Sequence, residues 1–83
     1  MVNLLKTVYH PAYVSLIEKL ILERKNQSVT QMQLANKLGK QQSYVAKVEG
    51  CERKLDVLEL VEWCNVLNQK ASAYVQELEC EFY

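Results

Sequence analysis

Residues 31–50 read QMQLANKLGKQQSYVAKVEG, and this stretch decides the fold. Leu34, Ala35 and Leu38 recur at helical spacing and stop at Gly39, the residue type that helix ends favour because it takes a left-handed backbone without strain. A second short segment follows, with Val45 and Val48 three apart as its inward residues. Its other positions, Gln41, Gln42, Ser43, Ala46 and Lys47, carry short or amide side chains and one cation. So brief a helix does not sustain itself by propensity and has to be docked on its neighbours. Ala35 is small where the two helices must cross closely. The outer edge of the second is slim and polar enough for a duplex major groove about 12 Å wide. The pair therefore reads as a helix-turn-helix.

Outward from that pair the chain continues as helices. Thr30 and Gln33 are spaced as a capping box at the start of helix two, and Asp56 and Glu59 repeat the pattern before helix four. Helix one is expected from Pro11, a favoured first-turn residue, with Tyr13, Ile17, Leu20 and Ile21 on its inner stripe and Arg24 and Lys25 near its end. Val57, Leu60, Val61, Cys64 and Leu67 are expected to supply the core from helix four. Helix five spans about 71–80 and offers Tyr74, Val75 and Leu78, with Phe82 and Tyr83 beyond it. Sustained β-type alternation is absent. The expectation is an all-α, compact five-helix bundle: an arm at residues 1–10 and a single domain at 11–83, with its motif at 31–50.

At 83 residues, the chain suits one domain. A domain this small buries roughly 60–65% of its unfolded surface, which leaves little room for an enclosed catalytic cavity. Formal net charge is zero, but the charge is unevenly spread. Between Arg24 and Lys54 lie seven basic residues and only Glu49 and Glu52 as acids, whereas residues 51–83 hold seven acids and three bases. Phosphates respond to such a local patch rather than to net charge. The carboxylates of helices four and five read as a solvated face turned away from a nucleic acid.

Cys51, Cys64 and Cys80 are odd in number and contain no C-x-x-C pair, and His10 is the sole histidine. They read as free thiols of a cytoplasmic protein, with Cys64 in the core and no metal site or cofactor. Glu18 and Lys19 interrupt the apolar run from Val14 to Leu22, so neither a signal peptide nor a membrane span is expected. Ser43 has no histidine in a nucleophile–base pattern, no glycine-rich phosphate loop exists, and Glu77, Glu79 and Glu81 lack metal-ligand spacing. The chain is not expected to be an enzyme.

Thr30-Gln31, Leu34-Ala35, Lys37-Leu38-Gly39, Gln42-Ser43-Tyr44-Val45, Lys47-Val48-Glu49 and Arg53-Lys54-Leu55-Asp56 together resemble the Xre/Cro-like family of phage and bacterial repressors. The likeness covers about residues 12–80. It implies the phage-repressor type of bundle and a transcriptional regulator, with double-stranded DNA as partner and a homodimer on a pseudo-palindromic operator. Gln31 then contacts a phosphate and braces Gln42, while Gln42 and Ser43 read bases and backbone. An amide can pair both ways with adenine N6 and N7. Ala46 is placed to touch a thymine methyl. Lys47 and Arg53 fall to phosphate or guanine, and Lys40 and Lys54 to the flanking backbone. Gln41 stands where the family often has a serine or threonine cap, and Gly50 comes one place early. Helix three therefore either ends one residue sooner or leaves Cys51 in a strained turn. Tyr44 reads either as a residue packing over the helix-two side or as one reaching the backbone, and Gln33 as a cap. The dimer surface is expected on Tyr74, Leu78, Phe82 and Tyr83, with Trp63 either there or semi-buried. The alternative is a protein-interaction module on the same fold, an antitoxin or antirepressor. A restriction-modification controller protein would be a variant of the regulator.

Overall fold

The computed structural model describes residues 10–81, so all but the last residue of the expected arm at 1–10, and the aromatic tail residues Phe82 and Tyr83, lie outside the described residues. Five helices follow in order: α1 (Pro11–Asn26), α2 (Gln31–Leu38), α3 (Gln42–Glu49), α4 (Val57–Val66) and α5 (Ala71–Cys80). No strand occurs among the described residues.

Local chemistry sets the boundaries. Pro11 opens α1, and the His10 ring Nδ1 accepts the Ala12 N–H at 3.1 Å. Both expected capping boxes form. Thr30 Oγ1 accepts the Gln33 N–H at 3.0 Å while Gln33 Oε1 accepts the Thr30 N–H at 2.9 Å. Asp56 and Glu59 repeat the exchange at 2.7 and 3.0 Å. Gly39 (φ +69°) ends α2 in the left-handed region. Three other helices end through a left-handed residue with a side chain: Ser28, Cys51 and Asn68, all with φ near +58 to +59°.

The core lies where α1, α2, α3 and α4 converge, on Leu16, Ile17, Leu20, Leu34, Ala35, Val45, Val48, Leu60, Trp63, Cys64 and Leu67. Val45 and Val48 are wholly buried, so the weak helix α3 is held by its neighbours rather than by its own propensity.

Three expectations about the core change. Val57 and Val61 are exposed, at 78% and 48%. Val57 and Val61, four apart, lie to one side of the buried row, which runs through Leu60, Trp63, Cys64 and Leu67 instead. Val75 is also exposed, whereas Tyr74 on the same helix is buried. Trp63 is 1% exposed and belongs to the chain's own core, which leaves it no surface for a partner. Leu16 and Ala12 join the core from α1 beside the expected Ile17 and Leu20.

Candidate nucleic-acid interface

Gln42, Ser43, Ala46 and Lys47 form the exposed edge of α3, opposite the buried Val45 and Val48. Gln41, in the N-cap position, is exposed and makes no side-chain capping bond, so α3 begins with its first N–H groups uncapped by a side chain. Lys40 sits in the turn ahead of it, and Arg53 and Lys54 sit in the loop after it; all three are exposed.

A hydrogen-bonded chain fixes the α2–α3 corner. Arg24, near the end of α1, donates from Nε to Glu49 Oε2 at 2.6 Å and from Nη2 to Glu49 Oε1 at 2.9 Å. Its Nη1 donates to the Val29 carbonyl at 2.7 Å. Glu49 Oε1 also accepts Gln31 Nε2 at 2.9 Å, and Gln31 Oε1 faces Gln42 Nε2 at 3.5 Å. Side chains on α1, α2 and α3 thus run in sequence from a buried ion pair to an exposed amide. The Gln31–Gln42 contact expected from sequence is present at the long limit of a hydrogen bond. Glu49, the acid nearest the exposed edge in sequence, is turned inward onto Arg24.

A second assembly stands at the other end. The Tyr44 ring lies beneath two cations, with Arg53 Cζ 4.8 Å and Lys40 Nζ 5.5 Å from its centroid. Its hydroxyl accepts the Trp63 indole N–H at 3.1 Å, and the two rings meet edge to face. Burial pushes the Tyr44 phenol above its ordinary range, so it stays a neutral hydroxyl. Tyr44 therefore packs, against Trp63 of α4 and under the Arg53 guanidinium. Arg53 is gripped by Glu59, from Nη1 to Oε1 at 2.9 Å and Nη2 to Oε2 at 2.8 Å. The guanidinium holds the Glu59 carboxyl below the usual carboxylate range, helped by the Asp56 N–H.

The turn after α3 resolves the early glycine. Helix α3 ends at Glu49, Gly50 keeps an ordinary φ of −85°, and the left-handed conformation passes to Cys51 at φ +58°. The Cys51 N–H reaches the Val48 carbonyl at 3.0 Å and the Glu52 N–H reaches that of Lys47 at 2.8 Å, which closes the helix end and sends the chain back toward Arg53.

Sequence reasoning missed the pairing of Arg24 with Glu49 and the grip of Glu59 on Arg53. Of these, only Glu59 had a local signal, its capping-box spacing. The expected dimer residues fare unevenly: Tyr74 is buried, Leu78 is half-buried against the core, and Phe82 and Tyr83 fall outside the described residues. The apolar side chains that the chain does expose include Val57, Leu58 and Val61, which are neighbours at the start of α4. Among the described residues there is no cluster of three or more acids, thiols or imidazoles able to hold a metal, and no helix long and apolar enough to cross a membrane.

No family model matches the chain, and no curated protein matches it. Among solved structures, an XRE-family like protein from Pseudomonas syringae pv. tomato superposes with a TM-score of 0.82 at 35% sequence identity. The match covers 95% of this chain and 96% of that one.

Proposed function

The chain belongs to the XRE-family like helix-turn-helix proteins, and from that premise we propose that it binds duplex DNA sequence-specifically and represses transcription by occupying an operator. One observation carries the reading. The edge formed by Gln42, Ser43, Ala46 and Lys47 is exposed along its length, while the opposite face of the same helix is fully buried. An exposed, amide-rich edge on a rigidly seated helix suits groove entry.

In this reading Gln42 pairs with adenine, braced by Gln31, and Ser43 reads alongside it. Ala46 meets a thymine methyl. Lys47, Lys40, Arg53 and Lys54 neutralise phosphates, and Gln41 lies at the backbone. The test is a titration with random duplex DNA between about 50 and about 200 mM salt. The reading expects affinity to fall steeply with salt; no binding at the lower salt counts against it.

The protein acts as a homodimer, with recognition helices about 34 Å apart on a pseudo-palindrome. Trp63 and Tyr74 are withdrawn from its interface by their burial. We assign the contact to Val57, Leu58 and Val61, because a solvent-facing apolar row of this kind is uncommon on a protein that stays monomeric. The same row supports a second reading, an antitoxin or antirepressor that docks another protein there. Sedimentation separates the two: self-association with duplex binding supports the regulator, and a monomer that ignores DNA supports the module.

A further inference from the structure

We propose that Glu59 is a positioning residue for DNA binding, holding the Arg53 guanidinium so that its free edge receives one backbone phosphate. The inference rests on the duplex-binding reading above and deepens it.

A guanidinium has five N–H donors arranged on a planar fork. In Arg53 the end-on edge is filled, Nη1 and Nη2 each donating to one Glu59 oxygen at 2.9 and 2.8 Å. The other Nη1 hydrogen is used by the Lys54 carbonyl at 3.2 Å. What remains is Nε–H and the outer hydrogen of Nη2, which lie side by side on the second edge. That pair has the spacing for two-pronged phosphate recognition. The guanidinium carbon lies over the Tyr44 ring, 4.8 Å from its centroid, and the Tyr44 hydroxyl is tied to the buried Trp63. Arg53 is thus held along one edge and set over the Tyr44 ring while its side chain is still 43% exposed. Lys40 Nζ lies 5.5 Å from the centroid of the same Tyr44 ring and adds a second cation to this end of the surface. Glu59 is itself anchored by the Asp56 N–H in its capping box, so the whole support is rigid.

An acid beside a phosphate site is ordinarily a liability, since it lowers the local positive potential. That sets up a test by sign. Glu59→Gln removes a negative charge, and simple electrostatics expects tighter binding. Positioning expects weaker binding, because an amide offers only one acceptor to the fork and lets the guanidinium swing. Glutamine still serves in a capping box, so α4 stays capped.

The experiment measures duplex affinity against salt for wild type, Glu59→Gln, Arg53→Lys and the double variant, with melting followed for each. Glu59→Gln is expected to bind about three- to tenfold more weakly, with a salt slope shallower by about 0.9, the value for one lost phosphate contact. In the Arg53→Lys background the same change is expected to have no weakening effect, since lysine has no fork to hold. Tighter binding by Glu59→Gln, or equal weakening in both backgrounds, overturns the proposal while leaving base reading by α3 intact. Absence of duplex binding by wild type overturns both.

Discussion

Arg24 and Glu49, twenty-five residues apart in sequence, meet in a two-pronged ion pair at 2.6 and 2.9 Å that is shut away from solvent. It joins the end of α1 to the end of α3 and, through Gln31, reaches the exposed Gln42. Breaking a buried pair from one side strands the other charge, which typically costs about 3–5 kcal/mol. Glu49→Ala is therefore expected to lower unfolding free energy by about that amount in urea titrations. The double change Arg24→Met with Glu49→Leu is expected to recover much of the loss, because no charge is then stranded. Equal destabilisation in both would contradict this account of the pair.

The turn after α3 gives an inverted substitution order. Cys51 has φ +58°, a conformation that costs a non-glycine residue about 1–2 kcal/mol. Cys51→Gly relieves that strain and Cys51→Ala does not. Glycine is expected to be the more stable of the two by about 1 kcal/mol, although it removes more of the buried side chain. Thermal melts of the two variants decide it. At Gly39, also left-handed at φ +69°, a Cβ would meet no neighbour within 4 Å. Gly39→Ala is accordingly expected to cost about 1 kcal/mol through backbone strain alone.

The three thiols should separate by reactivity. Cys51 and Cys64 are buried, and burial pushes both above the ordinary thiol range, which lowers the thiolate fraction. Cys80 is exposed. A thiol reagent at neutral pH is expected to label Cys80 rapidly and the other two only at the rate of unfolding, read by mass spectrometry.

The Arg53–Glu59 pair sets a pH dependence whose direction is fixed. Glu59 titrates below its unfolded value, so its contribution to stability is complete above the ordinary carboxylate range and disappears as pH falls through the folded value. The stability gap between wild type and Glu59→Gln is expected to shrink as pH is lowered from neutral through that range. The pair is partly exposed, so the gap is expected to be small and to narrow in high salt.

Assigning the dimer to α4 predicts that charge on its apolar row will separate the protomers. Leu58→Lys, at a side chain 76% exposed, is expected to keep the helical content of the wild type and to shift sedimentation from dimer to monomer, with melting lowered only by the lost association.

The sequence made the local features of this fold legible. The Thr30–Gln33 and Asp56–Glu59 boxes and the Gly39 stop are encoded within three or four residues, and all three form as read. The exposed edge of α3 was equally readable, because Val45 and Val48 leave only one side for Gln42, Ser43, Ala46 and Lys47. Long-range pairing was not readable. Nothing near Arg24 points to Glu49 across twenty-five residues. Periodicity also misplaced Val57 and Val61 and left Trp63 open, because it reports a helical stripe and not how wide a part of the helix the neighbouring helices cover. The early glycine left the α3 turn open until the structure put the left-handed residue at Cys51.

The central claim is that α3 distinguishes bases through Gln42. Selection from a random duplex library with wild type and with Gln42→Ala tests it most directly. The account predicts a two-fold symmetric site for wild type, and for the variant a loss of about 1–3 kcal/mol of discrimination at one base pair per half-site, with the other positions unchanged. Indistinguishable profiles for the two proteins would contradict it.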